Sequence, residues 1–139
     1  LKDWVNKGGD LDYCYSSALL REYVIDFLLC NFDCYVGNFI IDSSNNLRGI
    51  DKEQSFRFIS DDRTLNADYS FTPNGNHRIP IYQILFTRYR NGEIDLDLSV
   101  VTDTINKVKL LSDDDYKDLF RKYAVSLGKD RADQILELI

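Results

Sequence analysis

The passage from a helix into a β-hairpin between residues 17 and 51 constrains this chain more than any other feature. Leu20, Tyr23, Val24, Phe27 and Leu28 recur at helical spacing, which predicts one buried face of a helix over 17–30, with Ser16 and Ser17 as candidate caps. Residues 31–38 show no clean period and read as a loop. The apolar runs 39–42 and 47–50 are joined by Asp42-Ser43-Ser44-Asn45-Asn46 and predict a hairpin, because Asn tolerates left-handed backbone in a turn. Gly49, inside the second strand, either admits a close neighbour or merely relaxes the strand. A rigid helix before the loop and a hairpin after it fix where the loop side chains project.

Beyond Asp51 the alternation of Phe56 and Phe58 suggests an extended segment, and residues 60–78 form a long polar loop candidate. Pro80 suits the first turn of a helix through Tyr82, Ile84, Leu85, Phe86 and Tyr89, stopped near Asn91-Gly92. Leu98, Val101, Ile105 and Val108 predict a helix over 97–110. Ser112 caps a third over 113–127, whose acidic start at 113–115 complements the helix dipole rather than holding a metal. A last helix is expected over 130–138, and residues 1–13 read as a leading segment anchored by Trp4. The fold class is therefore α+β, mainly α, with 1–139 as a single domain. With 44% hydrophobic and 13% aromatic residues, the chain can bury a real core.

The charge of −6 argues against a nucleic-acid surface, which needs clustered Lys and Arg. No apolar run approaches the roughly 20 residues of a transmembrane helix. Cys14, Cys30 and Cys34, with His77 as the one histidine, are too few for a zinc site and read as free thiols, which fits a cytoplasmic location. His77 is expected to face solvent, and Arg48, Arg57 and Arg78 to pair with the excess Asp at the surface.

Asp followed by Asn five positions later occurs three times, at Asp26/Asn31, Asp33/Asn38 and Asp61/Asn66. Asp26 lies inside the helix and Asp61 in a polar stretch, so both pairs read as accidents of an Asp-rich composition. Only Asp33 stands just beyond a helix, with Asn38 opening a strand and the next strand delivering Asp51. Phosphoryl transfer from ATP uses such parts: one carboxylate to accept a hydroxyl proton, and an amide and a second carboxylate to hold magnesium. The bland alternative gives all three ordinary loop and turn roles, and a phosphohydrolase built on clustered carboxylates is a third possibility.

In wording and order of elements the chain resembles the C-terminal lobe of protein-kinase-like folds. Asn31-Phe32-Asp33 with Gly37-Asn38 is similar to the loops of HipA-like toxin kinases and phosphoinositide kinases. Gly49-Ile50-Asp51 resembles the corresponding segment of aminoglycoside and choline phosphotransferases. The resemblance has motif support over 17–59 and rests on helical content alone over 80–139. It implies Asp33 as the catalytic base, Asn38 and Asp51 as magnesium ligands and cofactor-binding residues for ATP, and Asn31 as a further residue of the cofactor site that buttresses the loop. The hairpin would thus carry the metal-binding residues, and a hydroxyl-bearing substrate would be the acceptor. Two departures stand out: Cys34-Tyr35 replaces the basic or His residue common after the catalytic Asp, and Lys52-Glu53 replaces Phe-Gly. No glycine-rich loop with a strand Lys is present, since Gly8-Gly9 with Lys7 has no strand around it. The chain starts with Leu and contains no Met. It is therefore expected to be a piece of a longer protein, missing an N-terminal lobe and with little activity alone. A pseudokinase acting as an interaction module shares this fold without the chemistry.

Overall fold

The computed structural model describes residues 15–31, 33–55 and 79–126. The expectations for Trp4, Cys14, Phe56, Phe58, the 60–78 loop, His77 and the helix at 130–138 lie outside them. Among the described residues the architecture is α+β and mainly helical, with one two-stranded antiparallel sheet. In order come helix α1 (Ser16–Leu28), a 3-10 turn (Val36–Asn38), strands β1 (Phe39–Ile41) and β2 (Leu47–Gly49), then helices α2 (Ile81–Arg90), α3 (Ser99–Val108) and α4 (Asp113–Ser126). Two compact units divide the chain, at residues 1–101 and 102–139.

The first unit is built on α1, the hairpin and α2. Leu19 and Leu20 of α1, Phe39 and Leu47 of the hairpin, and Ile81, Tyr82 and Leu85 of α2 are buried in one cluster. Full burial of each such aliphatic side chain stabilises the fold by roughly 1.5–3 kcal/mol. Among the described residues, edge-to-face ring pairs cross the cluster: Tyr23 against Tyr82 and Phe86, at 5.3 and 5.2 Å, and Phe39 against Tyr82 at 6.0 Å.

Helix α1 stops two residues earlier than its apolar periodicity suggests, and the cause is local. Cys30 adopts φ 47°, and the chain closes with Cys30 N–H donating to Phe27 O and Asn31 N–H to Asp26 O, a Schellman ending. At the other end neither serine is the cap. Tyr15 occupies that position, with no side-chain bond to the helix, while its hydroxyl donates to Asn45 Oδ1 at 2.6 Å.

The hairpin pairs Phe39 with Gly49, Ile40 with Arg48 and Ile41 with Leu47. Asp42 organises its turn by accepting from the backbone N–H of Ser44 and Asn46, each at 2.9 Å, while Asn45 takes the left-handed conformation at φ 61°. Arg48 donates to Asp42 Oδ2 at 2.8 Å, the surface pairing expected of it. Pro80 sits one position before α2 rather than inside its first turn, with an extended ψ of 138°. From there it bridges to Tyr35, and Ile81 N–H donates to Cys34 O at 2.8 Å, which ties the start of α2 to the 31–38 loop.

In the second unit, Ser112 and Asp115 form a reciprocal capping box at the start of α4. Asp115 N–H donates to Ser112 Oγ at 3.2 Å and Ser112 N–H to Asp115 Oδ2 at 3.1 Å. The Ser112 hydroxyl, donating to Asp115 Oδ2 at 2.6 Å, and then the Ser112 N–H hold the exposed Asp115 carboxyl below its usual pKa. No helix of the described residues is long and apolar enough to cross a membrane.

Candidate functional site

Asp33, Asn38 and Asp51 are joined through the backbone around Asn38. Its side-chain Nδ2 donates to Asp33 O at 2.8 Å, and its own carbonyl accepts Ile50 N–H at 2.8 Å, one residue before Asp51. Asn38 is buried, and the bond from Nδ2 leaves Oδ1 as its remaining side-chain acceptor. Among the described residues no donor reaches that oxygen or the carboxylates of Asp33 and Asp51. Asp33 is half-buried and Asp51 exposed.

Asp51 has φ 56°, the left-handed region that non-glycine residues seldom occupy. Such conformations cost of order 1–3 kcal/mol and persist where the surroundings over-determine them, often at functional positions. Asn45, also left-handed, has the turn to account for it. Asp51 follows the last strand residue by two positions and has no turn of its own.

Asn31 lies behind the loop. It is buried, with Nδ2 donating to Asp26 Oδ1 at 2.8 Å and Oδ1 accepting Asp33 N–H at 3.3 Å, so both ends of its amide brace the chain.

The residue that sequence reasoning passed over is Asp26. Its side chain is wholly buried and accepts from four groups on three segments, the 31–38 loop, the arm after β2 and α2. Asn31 Nδ2 and Lys52 Nζ reach Oδ1 at 2.8 and 2.5 Å, and Tyr82 Oη and Cys34 Sγ reach Oδ2 at 2.6 and 3.4 Å. Lys52 also pairs with Glu22 at 3.0 Å and lies 5.5 Å from the Phe39 ring centre. The Asp26/Asn31 pair, set aside as accidental, is thus a buried hydrogen-bonded pair. A signal was present: Asp26 lies seven residues after Leu19 and three after Tyr23, on the apolar face.

Electrostatics follow from this burial. Desolvation and then the Asp26 carboxylate push the Cys34 thiol and the Tyr82 phenol well above their usual ranges, which keeps both as neutral donors. Burial works against the Lys52 charge, but Asp26 and Glu22 outweigh it and raise its pKa. One ammonium and three neutral donors therefore surround one buried carboxylate. Gly49 resolves in favour of close approach: a Cβ there would collide with Glu22 Oε2 and Lys52 Nζ.

Cys30 and Cys34 are both buried, and Cys34 is a free thiol, as expected of it. Among the described residues no group of three or more His, Cys, Asp or Glu could hold a metal ion. The oxygen set of Asp33, Asn38 and Asp51, two carboxylates and an amide, is of the hard type that magnesium takes together with phosphate oxygens and water. No protein-family model, curated protein or solved structure matches the chain.

Proposed function

We propose that this chain is the catalytic lobe of an atypical, protein-kinase-like phosphotransferase that uses ATP and Mg2+. The observation that carries the reading is the stapling of Asn38 to both Asp33 and Ile50, next to an Asp51 in left-handed backbone. Asp33 would orient an acceptor hydroxyl and take its proton, and Asn38 Oδ1 and the Asp51 carboxylate would hold the metal. Bound magnesium would draw charge from the phosphate oxygens of the nucleotide. Asn31 would keep the loop in shape from behind. The glycine-rich strands and Lys that cover ATP in such enzymes would come from outside these 139 residues, so the chain alone is expected to transfer phosphate poorly.

A non-catalytic module of the same fold is the second reading. It is favoured by Cys34, which follows Asp33 where a basic group is common and turns its sulfur inward to Asp26 and to Asn31 O. A radiolabel-transfer assay on the parent protein, expressed from its full reading frame, separates the two. Catalysis predicts that Asp33→Ala lowers transfer by about 10²-fold or more, the usual scale of a lost general base. Transfer that is absent from the parent, or indifferent to Asp33→Ala and Asp51→Ala, contradicts the catalytic reading.

A further inference from the structure

We propose that Asp26 is the positioning residue of this site, setting the loop that bears Asp33 and the arm that bears Asp51 against one another. The inference rests on the reading of Asp33, Asn38 and Asp51 as a metal–nucleotide site.

Each arm reaches Asp26 through a close sequence neighbour of a site residue. Cys34 follows Asp33 and Asn31 precedes it by two, and both bond to Asp26; Lys52 follows Asp51 and bonds to Asp26 Oδ1, the same oxygen that Asn31 reaches. Tyr82 adds α2 as a third support. A shift of either arm would leave a buried polar group unpaired, so the carboxylate acts as a clamp rather than as a loose contact. Gly49 leaves room at β2 for Lys52 to join Glu22 and Asp26 at once.

The test uses amide hydrogen exchange by NMR on the 139-residue chain, as wild type, Asp26→Asn and Tyr82→Phe. The carboxamide keeps the shape of Asp26 but loses the charge that Lys52 needs; Tyr82→Phe removes one hydrogen bond and no charge. In Asp26→Asn, exchange at Asn31, Asn38 and Ile50 should rise about tenfold, the scale of a lost hydrogen bond to a charged group. Tyr82→Phe should change the same amides by a smaller factor, and Gly92 and Tyr116 should stay as they were in both. In the folded Asp26→Asn chain, Mn2+ with ADP should also broaden Asp33 and Asp51 at least threefold less than in wild type. Exchange unchanged at Asn31, Asn38 and Ile50, a uniform rise across all amides, or unfolding of both variants would overturn the inference. The expected exchange pattern with no Mn2+ effect in wild type would leave the clamp standing and sink the metal–nucleotide reading instead.

Discussion

Helices α1 and α2 end in the same backbone motif and surround it differently. In each, the residue after the C-cap is left-handed, Cys30 at φ 47° and Gly92 at φ 70°. The next residue donates its N–H back to the third-last helical carbonyl, Asn31 to Asp26 and Glu93 to Arg88. In both, the side chains of that last pair are polar and meet. At α2 they form a partly exposed ion pair, Arg88 Nε to Glu93 Oε2 at 3.4 Å. At α1 they form a fully buried Asp–Asn pair with Lys52, Tyr82 and Cys34 gathered around it. Glycine relieves the left-handed position at α2, whereas α1 carries a buried cysteine there. The difference teaches that a common helix ending becomes a brace between segments when its polar pair is taken out of water, where each partner depends on the others.

Lys52→Met should separate the two ends most sharply. It leaves the Asp26 carboxylate buried without its cation, which costs about 3 kcal/mol or more, read by urea unfolding. A loss under about 1 kcal/mol would erase the distinction, since exposed pairs reach that much. The sign in pH follows from the raised Lys52 pKa. Its contribution is whole below the unfolded value of about 10.4 and fades only as pH rises through the higher folded one.

Asn31→Ala removes one donor from Asp26 and should cost about 2 kcal/mol in the same measurement. At the α2 end, Gly92→Ala meets no atom within 4 Å and pays only for left-handed backbone, about 1 kcal/mol. Glu93→Ala, at the exposed end of that ion pair, should change stability by about 0.5 kcal/mol, as a surface pair does.

The smallest effect belongs to the hairpin turn. Arg48 and then the Asn46 N–H hold the half-buried Asp42 carboxyl down at about 2. Its support is complete above the unfolded value of about 3.9 and is lost as pH falls through 2, which a side-chain NMR titration would follow.

The helices and the hairpin were legible because their signals are local: apolar spacing, Asn in the turn, Gly92 at a helix end and Ser112 with Asp115 at a helix start. The Asp33, Asn38 and Asp51 set was legible as a motif because it sits between a helix and two strands. Its backbone stapling through Asn38 was not, since that depends on which amide end faces inward. Asp26 escaped because its partners at Lys52 and Tyr82 lie 26 and 56 residues away. A single charged letter on an apolar helix face does not name what will neutralise it. The N-terminus of α1 was misread for a related reason: two serines suit a cap, yet Tyr15 takes that position while its ring joins the buried cluster.

The central claim concerns one cation, and crystals grown with Mn2+ and a non-hydrolysable ATP analogue test it through the metal's anomalous signal. A peak about 2.1–2.2 Å from both Asn38 Oδ1 and an Asp51 carboxylate oxygen, with Asp33 facing the terminal phosphate, is the predicted result. Clear density for the three side chains with their tips on separate faces and no peak between them would contradict it.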